Sequence, residues 1–180
     1  RDPWTLFVGD DFDWSVEVGP RGATSKRGEL SLTVVDRKVQ EDARRLEFTG
    51  KGKHLSQLYF QFHDPVNMRA LEMADGALSF DMRLIKRPSQ PVKLRMDCGY
   101  PCSGEMDITR VLEAAGGDDW QRLTFPMKCF AQLGVDSSKV NTPFLLATTG
   151  ELSLEISEVV LAERPAGSEA VSCSELLAES

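Results

Sequence analysis

The 180-residue chain is 41% hydrophobic, which suits one domain with a sizeable core and leaves little room for two. Its 28 acidic residues outnumber the 21 basic ones, the formal net charge is -7, and lysines and arginines form no block, so nucleic acid is not an expected partner. No run approaches the roughly 20 apolar residues that span a bilayer, and the first residues do not resemble a signal peptide, so we expect a soluble protein.

Short segments of alternating apolar and polar residues dominate the chain, separated by clusters of Gly, Pro, Asp and Ser. This pattern predicts an all-β sandwich, and eight to ten strands of roughly five residues are typical of a jelly roll. In chain order, the predicted strands are residues 4–8, 14–18, 30–35, 45–49, 57–63, 77–84, 92–98, 120–125, 143–149 and 151–161. No repeat or linker divides the chain, so we predict one sandwich domain over residues 1–164. Residues 165–180 would form a tail that Cys173 tethers.

One short helix is expected within this β-rich pattern. Asp107 is a suitable N-cap, residues 108–112 place apolar side chains on one helical face, and Gly116 suits the C-terminal end. Near the end of the chain, Gly150 would join the last two strands as a hairpin. The continuous apolar run at 144–147 predicts a strand that is buried on both faces.

The four cysteines are an even number, with no CxxC pair and only two histidines in the chain, so thiolate metal ligation lacks its usual spacing. They are either reduced, buried residues of a cytosolic protein or disulfides of an extracytoplasmic one. We favour disulfides and an extracellular or periplasmic location. Three pairings are open, and the sequence does not choose among them. The residues are Cys98, Cys102, Cys129 and Cys173.

No catalytic pattern is evident. His54 and His63 have no metal-ligand spacing, and neither a GxSxG elbow nor a P-loop occurs. The acidic loop containing Asp10, Asp11 and Asp13 has the oxygen ligands that calcium prefers, although such loops are more commonly solvated turns. We therefore expect no cofactor other than structural calcium, and we expect the isolated chain to be inactive.

A polar outer face is the best candidate for ligand binding. Three predicted strands would build it if they shared one sheet, because their alternating polar residues would point the same way. The face would offer one aromatic ring on which a sugar could stack and planar groups for its hydroxyls. It contains Gln57, Tyr59, Gln61, Asp81, Arg83, Arg95 and Asp97. An ordinary solvated face with charges paired across strands is an equally good interpretation. Tyr100 and Trp120, at the margin of the cysteine-rich stretch 98–130, are further candidates.

Four segments together carry a family resemblance. They are DRKVQEDARRLEF at 36–48, MDCGYPCSGEMDITRVL at 96–112, WQRLTFPMKCF at 120–130 and TPFLLATTGELSLEISEVVL at 142–161. Over residues 14–164 the chain resembles the C-terminal domain of bacterial family 3 glycoside hydrolases of the exo-β-glucanase, or 1,4-β-glucan glucohydrolase, type.

This resemblance implies a galactose-binding-like sandwich similar to carbohydrate-binding modules. It also implies that the catalytic residues belong to preceding domains of a parent enzyme. We therefore expect a non-catalytic module that binds a β-glucan or a related polysaccharide. The alternative is a structural accessory domain that packs on the catalytic domains, stabilises them and has no sugar affinity of its own.

Overall fold

Two antiparallel sheets of six strands form a β-sandwich in the computed structural model, which describes residues 4–10, 15–170 and 172–179. The predicted all-β sandwich is confirmed. In chain order, the strands are β1 (Trp4–Asp10), β2 (Val16–Glu17), β3 (Gly22–Thr24), β4 (Leu30–Val35), β5 (Ala43–Thr49), β6 (Ser56–Phe62), β7 (Gly76–Lys86), β8 (Val92–Asp97), β9 (Ser103–Asp107), β10 (Gln121–Pro126), β11 (Thr142–Thr148) and β12 (Glu151–Glu163).

The strands divide between two sheets. Sheet A has the order β2-β1-β6-β11-β8-β9, and sheet B has the order β10-β7-β12-β5-β4-β3. Alternation along each strand sends one set of side chains into the space between the sheets and the other set outward. In β6, for example, Leu58, Phe60 and Phe62 are buried, whereas Tyr59 and Gln61 are half-buried on the outer face.

The core lies between the sheets and is rich in aromatic rings. Phe80 contacts Phe125 with ring centroids 5.9 Å apart and meets Phe144 edge-on at 5.3 Å, which joins β7, β10 and β11. All three rings are fully buried. Such offset and edge-to-face contacts stabilise a core beyond the area that they bury.

Two expectations about topology are wrong. β6 and β8 share sheet A, but β7 lies in sheet B, so the three polar strands do not form one face. β11 and β12 do not form a hairpin at Gly150, because the chain crosses there from sheet A to sheet B. Every residue of β11 is buried, as its continuous apolar run predicted.

The structure contains more helix than the one segment expected. The predicted helix is α2 (Thr109–Ala114), and the Asp107 carboxylate accepts a hydrogen bond from the backbone N–H of Thr109 at 2.9 Å. The described residues also form α1 (Arg69–Met73), α3 (Met127–Gln132) and α4 (Cys173–Glu179). Each has at most seven residues, which is too short for a clear helical period.

Disulfides join all four cysteines, as predicted. Cys98 bonds to Cys102 across four positions, and Cys129 bonds to Cys173 across 44. Cys98 and Cys129 are buried, but they are not bonded to each other. The second bond ties α4, within the segment predicted as a tail, to α3, and Leu176 of α4 is buried.

Candidate functional site

A cleft of about 420 Å³ lies on the outer face of sheet A. The central strands β6, β11 and β8 form its floor, and the disulfide-closed loop from Cys98 to Cys102 forms one wall. Six of the nine predicted ligand-binding residues line it, although they come from widely separated parts of the chain. These six are Gln57, Tyr59, Gln61, Arg95, Asp97 and Tyr100.

The floor of the cleft is held rigidly by hydrogen bonds. Thr142 donates its hydroxyl hydrogen to Gln61 Oε1 at 2.9 Å, which fixes the orientation of that amide. Tyr59 donates to Ser15 Oγ at 2.8 Å, and its ring stacks on Phe7 with centroids 5.3 Å apart. Because Phe7 covers one face of the Tyr59 ring, Tyr59 is a part of the floor and is poorly placed as a stacking platform.

The charges in the cleft are paired, but not all donors are used. Arg95 Nε lies 2.8 Å from Asp97 Oδ1, and an Arg95 terminal nitrogen donates to Asp97 Oδ2 at 3.3 Å. The buried Nε–H is nevertheless not aligned for a hydrogen bond with any described group. The charges that line the cleft therefore nearly cancel, which suits an uncharged ligand rich in hydroxyls.

Tyr100 stands at the rim of this cleft and is fully exposed. Its loop is constrained on several sides: Cys102 N donates to Gly99 O at 2.7 Å, and Gly99 N donates to Asn141 Oδ1 at 3.1 Å. Gly99 has a φ of 88°, a conformation that glycine adopts without strain. The short loop thus presents an aromatic ring to solvent from a rigid base.

The other three predicted residues lie on the outer face of sheet B. Asp81 accepts hydrogen bonds from Arg37 at 2.6 Å and Arg122 at 2.9 Å, and the Arg37 guanidinium lies 4.1 Å from the centroid of the Trp120 ring. Arg83 binds Glu155 through two nitrogens. Asp81, Arg83 and Trp120 are thus engaged with neighbouring side chains, as the solvated-face interpretation predicted, and take no part in the cleft.

The pKa of Asp81 reflects this pairing. Burial on its own raises the pKa of the carboxyl, but the hydrogen bonds from Arg37 and Arg122 outweigh burial and hold it below its usual range. Asp81 is therefore ionised at neutral pH and acts as the centre of an ion-pair network.

A larger cavity, about 560 Å³, lies elsewhere, at one end of the sandwich. Its lining includes Trp4, Glu41, His63 and Glu158. Trp4 packs on Phe60 with ring centroids 5.1 Å apart, and Glu158 is within ion-pair distance of Lys38. None of the predicted ligand-binding residues lines it.

The predicted calcium ligands fall partly outside the described residues, because Asp11 and Asp13 are not among them. Asp10 is buried and accepts hydrogen bonds from Arg27 N at 2.9 Å and Ser56 Oγ at 3.1 Å. Among residues 4–10, 15–170 and 172–179, no group of three His, Cys, Asp or Glu residues could hold a metal ion. The calcium site at this loop stays a prediction.

Sequence reasoning missed several residues of the cleft. Thr142 and Leu145 line it from β11, Asn141 precedes that strand, and Ser103 belongs to β9. The continuous apolar run of β11 gave no sign that this strand lines the cleft, because a central strand under a cleft is itself buried. No local signal places β11 between β6 and β8.

The arrangement defines the protein as a galactose-binding-like sandwich with a polar cleft on one sheet. A family model, Exop_C, described as galactose-binding domain-like, matches residues 2–161, and the chain belongs to that family. No curated protein sequence matches the chain.

Solved structures show the same fold. The extra C-terminal domain of an exo-1,3/1,4-β-glucanase from a Pseudoalteromonas species is 22% identical, with a TM-score of 0.73 over 95% of this chain and 91% of that one. The whole exo-1,3/1,4-β-glucanase from that organism gives a TM-score of 0.75 at 22% identity, and the match covers 96% of this chain but only 20% of the enzyme.

A carbohydrate-binding module is also similar in fold. The family 11 module from Clostridium thermocellum, solved with a β-1,3-1,4-mixed-linked tetrasaccharide, is 11% identical, with a TM-score of 0.57 over 88% of this chain and 95% of that module. At such low identities the likeness concerns the fold alone.

No described helix is long and apolar enough to span a membrane.

Proposed function

We propose that the chain is a non-catalytic carbohydrate-binding module that holds a β-glucan in the cleft of sheet A. The observation that carries this proposal is the convergence of six candidate residues from β6, β8 and one disulfide loop on a single cleft. Protein sites for neutral sugars need planar amide and guanidinium groups together with an accessible ring. Gln57, Gln61, Arg95 and Tyr100 supply both.

A glucan with β-1,3 and β-1,4 linkages is our preferred ligand class. An exo-1,3/1,4-β-glucanase carries a domain of this fold, and a family 11 module of similar fold was solved with a mixed-linked tetrasaccharide. We infer that the module belongs to a secreted polysaccharide-degrading enzyme and acts beside its catalytic domains. The two disulfides support an extracytoplasmic location, because such bonds persist in oxidising compartments.

The first test is calorimetric titration of the purified chain with mixed-linkage β-glucan, laminarin, cello-oligosaccharides and xylan, together with affinity gels. We expect heat and retardation with at least one β-glucan and no turnover of any of them. If every polysaccharide gives no heat and no retardation, the proposal is wrong. The structural accessory role would then be the better interpretation.

A second test locates the ligand. Gln57→Ala removes an amide from the cleft, and Gln121→Ala removes an exposed amide at the start of β10 in sheet B. We expect only the first variant to weaken binding, by roughly 3- to 10-fold for one or two lost hydrogen bonds. Equal affinities for the two variants would place the ligand outside the cleft.

A further inference from the structure

The cavity at the end of the sandwich, which we call the end cavity, lies between the two sheets. Sheet A contributes Trp4 and Phe60 to its lining, and sheet B contributes Arg44 and Ile156. The next inward-facing residues along these strands are fully buried, so the core closes the inner end of the cavity. They are Leu46, Leu58 and Leu154. The volume of about 560 Å³ is typical of sites that bind small ligands.

Arg44 is an arginine at an inward-facing position of β5. Leu46 and Phe48 on the same strand are buried in the core, and alternation turns Arg44 to the same side. One terminal nitrogen of its guanidinium donates to the backbone carbonyls of Glu41 and Ala43, both at 3.1 Å. No described carboxylate forms an ion pair with it. The other nitrogens of this half-buried guanidinium are therefore available to a ligand.

Trp4 contributes an aromatic surface to the same cavity. Its ring meets Phe60 and Phe62 at interplanar angles of 57° and 43°, with centroids 5.1 and 5.8 Å away. These tilted contacts hold the ring, and no described aromatic ring is stacked parallel to it. Tyr59 differs in this respect, because Phe7 is stacked on it. The half-buried Trp4 ring can therefore contact the apolar face of a sugar ring.

Four carboxylates also line the end cavity, and two of them are not engaged. Asp42 accepts three backbone N–H bonds from its own loop, at 2.7–3.1 Å, and Glu158 lies within ion-pair distance of Lys38. The exposed side chains of Glu17 and Glu41 form no hydrogen bond or ion pair with another described residue. They are free to accept hydrogen bonds from a ligand.

The backbone that carries these carboxylates is tightly constrained. Asp36 accepts a hydrogen bond from the Glu41 backbone N–H at 2.7 Å. Glu41 and Glu158 have φ values of 61° and 53°, in the left-handed region that residues other than glycine rarely adopt. Such strained residues are concentrated at functional sites. The segment 36–48 also carries part of the family resemblance, yet the cleft on sheet A contains none of its residues.

The lining of the end cavity narrows the class of ligand. Four carboxylates against one inward arginine disfavour an anion, and the unpaired guanidinium disfavours a metal cation. A purely apolar molecule would leave the donor and acceptor groups without partners. A neutral molecule with hydroxyl groups along its edge and an apolar face satisfies the guanidinium, the carboxylates and the aromatic ring together. Because the core closes the inner end of the cavity, a chain molecule enters it by an end.

We propose that the end cavity is a second carbohydrate site, which takes the terminal sugar unit of a neutral glucan. Trp4 contacts the apolar face of the sugar ring, Arg44 donates to hydroxyl oxygens, and Glu41 accepts from hydroxyl groups. The choice of a glucan rests on the proposed function. The site itself is separate, since the end cavity and the cleft on sheet A share no lining residue.

The test is a titration of the isotope-labelled full chain with cellobiose and laminaribiose, followed by heteronuclear NMR. We expect a saturable shift of the Trp4 indole N–H signal, assigned with Trp4→Phe, and no shift of the Trp120 indole on sheet B. Arg44→Gln should raise the Kd of the disaccharide roughly 10-fold, because a charged hydrogen-bond donor is lost. Arg87→Gln changes an exposed arginine outside the cavity and should leave the Kd unchanged.

Glu41→Gln keeps the test decisive if Arg44→Gln does not fold. Its exposed side chain has no described partner, so the variant should keep the thermal midpoint of the wild type and bind the disaccharide roughly 3- to 10-fold more weakly. Gln57→Ala, in the cleft, should weaken polymer binding and leave the response of Trp4 to disaccharides unchanged. A cyclic β-glucan, which has no chain end, should not shift the Trp4 signal.

The end cavity and the cleft can fail independently in these experiments. If Gln57→Ala leaves polymer affinity unchanged while disaccharides still shift the Trp4 signal, the cleft assignment is wrong and the end cavity is supported. The end-cavity proposal is overturned if neither disaccharide shifts the Trp4 signal, or if Gln57→Ala abolishes that shift. It is also overturned if Glu41→Gln binds the disaccharide as tightly as the wild type, or if the cyclic glucan produces the same shift.

Discussion

Tyr100 is the side chain of the cleft at which a sugar ring could stack. It is fully exposed at the cleft rim, whereas Tyr59 is half-buried, stacked on Phe7 and hydrogen-bonded to Ser15. We expect Tyr100→Ala to weaken β-glucan binding by about 1–2 kcal/mol, or roughly 5- to 30-fold in Kd, since exposed aromatic anchors commonly dominate binding energy. Calorimetric titration measures this change.

Trp120→Ala is the matched control for that variant, because it removes an aromatic ring from the opposite sheet, where Arg37 covers it. The control should bind like the wild type. A larger loss of affinity in Trp120→Ala than in Tyr100→Ala would move the binding surface to sheet B.

Asp81 makes the stability of the protein depend on pH. The pKa of Asp81 in the folded protein lies below the unfolded value of about 3.9. Its contribution to the free energy of unfolding is therefore complete at pH values above the unfolded pKa, and it is lost as the pH falls through the folded pKa. Asp81→Asn should lower the free energy of unfolding at pH 7 by about 1–3 kcal/mol. The difference from wild type should shrink below about pH 4. Urea unfolding at pH 7, 5 and 3 measures it, and a difference independent of pH would contradict the prediction.

The orientation of single side chains was predictable where alternation along a strand alone determines which face they occupy. Alternation correctly placed Gln57, Tyr59 and Gln61 on an outer face. Parity carries no information about which sheet a strand joins, and this is why Asp81 and Arg83 were grouped with the wrong face.

The two disulfides have different tasks at the level of structural elements. Cys98–Cys102 closes a short loop at the cleft, whereas Cys129–Cys173 links α3 to α4 far along the chain. The stabilising effect of a disulfide grows with the loop that it closes, to about 2 kcal/mol for the short loop and about 4 kcal/mol for the long one on the chain-entropy estimate. The affinity for β-glucan should therefore depend mainly on the Cys98–Cys102 disulfide, and the free energy of unfolding mainly on the Cys129–Cys173 disulfide.

Paired serine variants test this separation. Cys98→Ser with Cys102→Ser should lower β-glucan affinity roughly 3- to 10-fold, because binding must then order the loop that carries Tyr100. Cys129→Ser with Cys173→Ser should leave affinity unchanged while lowering the denaturant midpoint more. The idea fails if both pairs lose the same affinity, or if the short-loop pair is the less stable one.

Elements with strong local alternation were predictable, and those defined by their neighbours were not. β4 was predicted residue for residue, and β6 to within one residue at each end. β3 and β9 are edge strands of three and five residues, and β9 carries a glycine at position 104 that packs closely against Val135. Their strand character comes from pairing with β4 and β8, which local sequence does not encode.

At the scale of the whole molecule, the negative charge bears on the choice of polysaccharide. With a net charge of -7 and the Arg95 charge paired with Asp97, the protein should disfavour anionic polysaccharides. We expect the Kd for a neutral β-glucan to change less than about twofold between about 0.02 M and about 0.5 M NaCl, since screening acts on charge pairs. Titrations at both salt concentrations measure this, and a strong salt dependence would indicate that the ligand is charged.

The positions of β11 and β12 also bear on how the chain reaches its native state. β11 bridges β6 and β8 in sheet A, and β12 bridges β5 and β7 in sheet B, yet both strands lie in the last third of the sequence. Neither sheet has its centre until these segments have been synthesised. Long-range pairing of this kind slows folding. Before β11 is made, sheet A is divided into β2-β1-β6 and β8-β9, and sheet B stays divided into β10-β7 and β5-β4-β3 until β12 emerges. The two-layer core therefore cannot close during most of synthesis, and the exposed strand edges of these pieces are prone to aggregation until then.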